Sequence, residues 1–143
     1  MTGVAGKRFG IVGPLAAFSR RVAAKEVGRQ RGQLRRGVSR LTSHVVFGRR
    51  LLEKSPQAEI EERLDAETKA GRELLSENGF LRRLGLLTAP EGSAMSAQSI
   101  LDQSKLSRRD LVLLSLFDAF EHDAEPYSFR DVILARKYAG LVA

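Results

Sequence analysis

Apolar positions change their spacing several times along the chain, and each change marks an element. Phe9, Ile11 and Val12 form a short apolar run closed by Gly13, which reads as a buried strand over residues 8–13 followed by a proline-containing turn. From residue 19 to 30 the spacing becomes helical: Val22, Ala23 and Val27 fall on one face, and Arg20, Arg21, Lys25 and Arg29 mostly on others. Arg31-Gly32 stops that helix. A short strand over residues 33–35 and a firmer one over 43–47 follow, and residues 49–54 form a connecting loop. Ser55-Pro56 offers an N-cap with proline at the first helical position, opening an acidic helix that runs to about residue 70. After Gly71 come a strand over 72–75 and a helix from Ser76 that carries Phe80, Leu81 and Leu84. The order β-α-β-β-α-β-α predicts an α/β fold: a small parallel four-stranded sheet flanked by helices.

The pattern breaks at residues 88–95, rich in small and turn residues, which read as a linker between a domain over 1–87 and a helical unit over 96–143. In that unit a short helix is expected over 96–104. Ser107-Arg108-Arg109-Asp110 has the form of a capping box, with Leu106 and Leu111 placed as a hydrophobic staple. Tyr127-Ser128-Phe129-Arg130-Asp131-Val132 repeats the device before a last helix, after a polar loop over 121–126. The expectation for this part is a short all-α unit.

Charge changes the picture more than overall composition does. Residues 1–50 hold twelve Lys or Arg against one acid, Glu26, a net of +11; residues 51–100 carry −3 and residues 101–143 carry −1. The whole basic excess lies in the first third, and most of it is Arg, whose planar guanidinium suits phosphate. Such polarity favours a polyanionic partner, because neutralising phosphates releases counterions. The chain has no cysteine, which removes disulfides, Cys-ligated zinc and thiol catalysis. No apolar run reaches the roughly 18 residues of a membrane span, and residues 1–10 lack a signal-peptide core. The expectation is a cytoplasmic protein, nucleoid-associated if bacterial, with no membrane partner.

The stretch GQLRRGVSRLTSHVVFG at residues 32–48 joins these features to a family. The apolar strand ending in Gly13, the helix with Arg20, the turn at Gly32, the run Val38-Ser39-x-x-Thr42-x-His44-x-Val46-x-Gly48, Ala70-Gly71 before a strand, and Ser76-Glu77 opening a helix together resemble the BRCT domain. The resemblance spans residues 7 to about 87. Three positions depart from the pattern. Arg31 stands where a second glycine is usual, Phe80 where Trp is usual, and Val12 where a hydroxyl residue ends the first strand. The resemblance implies a phosphate-binding module with Gly13, Arg20 and Arg63 as its grip: a backbone N–H at the glycine and two charge-assisted donors. Val12 cannot donate, which costs that grip on the order of 1 kcal/mol.

Arg29, Arg35, Arg36 and Arg40 extend the basic surface and are candidates for DNA-backbone contacts, which position a protein without reading sequence. Residues 95–143 resemble the helix-turn-helix part of MerR-type regulators, which implies DNA contacts by Arg108 and Arg109. The helix from Leu111 to Phe120 is apolar on most sides, however, which suits burial or self-association. No catalytic constellation is present. His44 and His122 lie far apart, the glycines at 3, 6, 10 and 13 form no P-loop, and Glu59, Glu61, Glu62, Asp65 and Glu67 read as a solvated helix face. No metal site and no cofactor are expected. The sequence therefore points to a non-catalytic DNA-associated adaptor. Its partner is DNA, through the phosphate backbone or a 5′-phosphate end, or a phosphoprotein, with a homodimer as a further possibility. The alternative is a protein-interaction or dimerisation scaffold that binds no phosphate.

Overall fold

The computed structural model describes residues 3–88 and 93–142. The chain forms two compact units, Met1–Leu87 and Thr88–Ala143.

Unit 1 runs β1 (Arg8–Val12), α1 (Arg20–Arg29), β2 (Gln33–Arg35), β3 (His44–Phe47), α2 (Leu51–Lys54), α3 (Gln57–Lys69), β4 (Glu73–Ser76) and α4 (Glu77–Arg83). The strands make one parallel sheet in the order β2-β1-β3-β4. Parallel neighbours need crossovers: α1 carries the chain from β1 to β2, and α3 from β3 to β4. Alternation along the strands divides the apolar residues between two faces. Phe9, Val46 and Leu75 join Ala23 and Val27 of α1 and Phe80 and Leu84 at α4 in one cluster. Val12, Val45 and Phe47 are buried outside that cluster, and α3 buries Ile60 and Leu64.

Local chemistry sets the element ends. Ser19 caps α1 by accepting from Val22 N (3.2 Å), and Ser76 caps α4 by accepting from Gly79 N (2.9 Å). Three details differ from the sequence reading. Residues 51–54, expected as loop, form α2, because Leu51 turns into the interior directly after Gly48. Ser55 closes that turn, so Pro56 takes the cap position of α3 and no side chain caps it. Val22 is half exposed, and α1 is anchored by Ala23 and Val27 alone.

Unit 2 contains β5 (Ser93–Met95), α5 (Ala97–Gln103), α6 (Arg108–Leu116), β6 (Tyr127–Ser128) and α7 (Phe129–Val142). It is not all-α: β5 pairs antiparallel with β6, and β5 falls in the stretch read as linker. Strands of two and three residues are too short to carry an alternating pattern, so sequence periodicity could not reveal them. Ile100, Leu106, Leu111, Phe120, Tyr127, Val132 and Ala135 form the core, with both expected staple leucines among them. Ser107 accepts from Asp110 N (3.1 Å). At the start of α7 the box is reciprocal: Ser128 N donates to Asp131 Oδ2 (3.0 Å) and Asp131 N donates to Ser128 Oγ (3.3 Å).

Asp131 is fully buried and also accepts from Glu121 N (2.8 Å) and bonds His122 Nδ1 (2.8 Å). One carboxylate thus ties the 121–126 loop to the helix that follows. Asp131→Ala would leave these donors unpaired and is expected to destabilise unit 2 by about 2–4 kcal/mol. Both tyrosines, Tyr127 and Tyr138, lie in unit 2, so tyrosine fluorescence during urea unfolding reports the loss directly. A midpoint unchanged from wild type would show that the carboxylate is dispensable. Burial pushes the Tyr127 phenol up from its ordinary range; a hydrogen bond with Ser115 opposes this, and the Asp131 charge adds to it.

Candidate anion-binding site

β1 is followed by Gly13, whose φ of +79° lies in the left-handed region. A Cβ there would stand 2.5 Å from Leu51 Cβ, so both conformation and space require glycine. The turn it makes separates two hollows, each of which Gly13 and Ile11 help to line.

The first hollow is bordered by Pro14, Phe18, Ser19, Arg20, Arg36 and Arg50, with no acidic residue in its wall. Arg20 is the first residue of α1, a helix with no acid in its opening turn. Arg36 follows β2, and Arg50 precedes α2, where it approaches Glu53 at 3.6 Å. Arg20 and Arg36 are exposed and make no ion pair among the described residues. Three guanidinium groups beside a glycine turn and an exposed helix start can meet a phosphate from several sides.

The second hollow holds Val12, Leu51, Ile60, Glu59, Glu62 and Arg63. Here the sequence expectation meets an obstacle. Arg63 Nε donates to Glu67 Oε2 at 2.6 Å, and the same carboxylate takes Arg72 Nη1 at 2.9 Å. Glu67 is buried, not part of a solvated face as the charge run suggested. It draws Arg63 along the helix, and Glu59 and Glu62 add negative charge to the wall. Val12 is buried at its edge. The structure thus brings Gly13 together with Arg20 in one hollow and with Arg63 in the other.

Both walls of the first hollow hang on Glu77, the first residue of α4. Its side chain is fully buried. Ala16 N donates to both of its oxygens (2.9 Å each), Ala17 N to Oε2 (2.6 Å), and Arg49 N to Oε1 (2.9 Å). The Arg49 guanidinium stands 3.4 Å away. Burial by itself would raise this carboxyl, but the three backbone donors and the Arg49 charge outweigh it and hold the group below the ordinary carboxylate range. The β1–α1 turn and the start of the β3–α2 segment are therefore pinned to one anion. Sequence reading used Ser76-Glu77 only as the opening of a helix, and it also missed Arg50. The first-turn position after an N-cap was the available signal for Glu77. Nothing local marks the donors, 28 to 61 positions away.

The remaining candidates scatter. Arg29 pairs with Glu26, whose carboxylate is lowered by hydrogen bonds from Gln30 and then Arg29. Arg35 lines a third hollow, with Arg8, over the β2 edge. Arg40 is exposed in the β2–β3 loop. Arg108 donates to Gln98 Oε1 (3.0 Å), and Arg109 is exposed on α6. His44 packs on Phe9 with ring centres 5.1 Å apart; burial lowers its basicity while Glu73 opposes this. Glu121, His122 and Asp131 place potential metal-ligand atoms within 4.8 Å of one another, but Asp131 is engaged in the helix cap and Glu121 accepts from Ser128 and Arg130.

No protein-family model matches the chain, and no curated protein matches it. Among the described residues no helix is long and apolar enough to cross a membrane.

Proposed function

We propose that unit 1 is a non-catalytic, DNA-associated adaptor that grips a phosphate, on a DNA end or nick or on a phosphorylated partner. The grip is the hollow formed by Gly13, Arg20, Arg36 and Arg50, not one centred on Arg63. The carrying observation is that Arg20 and Arg36 face an acid-free hollow and have no carboxylate partner among the described residues. An arginine already paired gains little from a phosphate, whereas an unpaired one gains a charge-assisted bond. The BRCT resemblance supports the same reading, as does a parallel sheet assembled in the element order it implies. In unit 2, Arg108 and Arg109 remain candidates for added DNA affinity.

Fluorescence anisotropy with matched 5′-phosphorylated and unphosphorylated duplexes, and with a matched phosphopeptide pair, tests the grip. One of the two pairs is expected to differ by about tenfold, the equivalent of about 1.4 kcal/mol. Arg20→Ala/Arg36→Ala is expected to abolish the difference with the circular dichroism spectrum intact. Less than about a twofold difference in both pairs would remove the proposal.

A protein-interaction role draws on separate observations. Val12 puts an apolar wall where the resemblance has a hydroxyl, and Phe129 and Ile133, one turn apart on α7, are exposed together with Leu141. That surface suits a partner helix or a second copy of the chain.

A further inference from the structure

The hollow over the β2 edge has a composition the phosphate grip does not use. Its wall includes Arg8, Gln33, Arg35, Ser39 and Thr42 and no acidic residue. Arg8 and Arg35 are exposed, and neither makes an ion pair among the described residues. The strand register explains why they share a face. Arg8 is aligned with Gln33 and Gly10 with Arg35, so Arg8, Gly10, Gln33 and Arg35 all project from the same side of the sheet. Between them Gly10 supplies no side chain. A Cβ there would meet Gly37 O and Val38 Cγ2 at 2.9 Å, so the β2–β3 loop is seated directly on its backbone.

That loop is a braced wall. Arg72 donates to Ser39 O (2.8 Å) and Thr42 O (3.2 Å), and is itself held by buried Glu67. Thr42 Oγ1 accepts from Ser39 N (3.0 Å). Two unpaired arginines thus stand before a fixed surface, an arrangement that spares a ligand the cost of ordering it.

The two arginine hollows are neighbours in sequence and in space. Arg35, the last residue of β2, lines this one, and Arg36, the residue that follows it, lines the phosphate grip. β2 is the edge of the sheet, and both hollows lie beside it, with β1 contributing Arg8 to one and Ile11 to the other. We propose that the Arg8–Arg35 hollow is a second anion subsite, and that the two subsites together hold successive phosphates of a nucleic-acid strand running past the β2 edge. This rests on the phosphate grip proposed above and selects nucleic acid among its ligands. A phosphopeptide brings one dianion to one hollow, whereas a nucleic acid brings regularly spaced charges to both.

The test is anisotropy of the whole chain with a duplex lacking terminal phosphates, across about 50 to 200 mM salt. Arg8→Gln/Arg35→Gln is expected to weaken binding about tenfold at the lowest salt and to flatten the plot of log affinity against log salt by about 1.8, the share of two phosphate contacts. The preference for a 5′-phosphate, if the grip lies at Arg20 and Arg36, should survive in this variant. Arg21→Gln/Lys25→Gln removes equal charge from α1 outside both hollows and should leave the slope nearly unchanged. The second subsite is overturned if Arg8→Gln/Arg35→Gln leaves slope and affinity at wild-type values, or if the α1 control flattens the slope equally. It is also overturned if poly-glutamate competes as well as DNA of equal charge, which would indicate an acidic protein partner. Failure of the grip itself would be seen separately, as a phosphate preference indifferent to Arg20→Ala/Arg36→Ala.

Discussion

Glu77→Gln is expected to destabilise unit 1 by about 2–4 kcal/mol at neutral pH, among the largest effects of any single substitution in it. A glutamine at this site offers one acceptor oxygen and one NH2 group. Three backbone N–H donors, from Ala16, Ala17 and Arg49, converge on the present carboxylate, so at least one would face another donor. The Glu77 side chain itself has no exposed surface. The effect should depend on pH in a fixed direction. The folded state holds Glu77 below its ordinary range, so its contribution is complete above the unfolded carboxyl range and is lost as pH falls through the folded value. The gap between wild type and Glu77→Gln in urea midpoint, followed by circular dichroism, should therefore be widest near neutrality and narrow in acid. A gap that stays constant into acid, or stays below about 0.5 kcal/mol throughout, would mean that the donors find other partners. Phosphate binding should weaken with the same variant, since both loops that border the hollow lose their anchor.

Gly48→Ala is the second large effect, and it arises from space, not from backbone conformation. A Cβ at Gly48 would lie 2.2 Å from Pro14 O, 2.6 Å from Pro14 C and 2.8 Å from Gly13 O. All three are backbone atoms and cannot swing away as a flexible side chain would. Gly48 N also donates to Val12 O (2.9 Å), so moving the chain to relieve the clash breaks a bond that joins the ends of β1 and β3. The expected cost is about 2–3 kcal/mol, with loss of phosphate preference because Gly13 and Pro14 line the hollow. Gly37→Ala is the matched control. Nothing lies within 4 Å of the point its new methyl group would occupy, so its midpoint should fall within about 0.5 kcal/mol of wild type. Equal midpoints for Gly48→Ala and Gly37→Ala would refute the close approach.

These two residues show where sequence reading stopped. Gly48 was visible as the glycine closing a strand, and Glu77 as the residue after the serine that opens a helix. Their partners were not visible, because Pro14, Ala16 and Ala17 are brought to them by strand pairing across the sheet. Arg63 and Glu67 show the same limit within one helix. Their spacing allowed an i, i+4 pair, but Glu67 becomes a buried hub only when Arg72, beyond the helix, closes on it.

The sequence by itself determined the order of the four strands and of three helices in unit 1, with α2 missed, and the parallel arrangement of the strands in one sheet. It also determined the helix starts at Ser19 and Ser76, the serine cap at Ser107, and the concentration of positive charge in the first third. Periodicity and capping act over a turn or two of chain, so they are written locally. Only the tertiary structure decided that β5 and β6 pair, that Glu77 holds two loops, that Arg63 is committed to Glu67, and that Arg8, Arg20, Arg35 and Arg36 have no carboxylate partner among the described residues. An arginine's availability to a ligand depends on which acids the fold brings within reach, and residues distant in sequence set that distance.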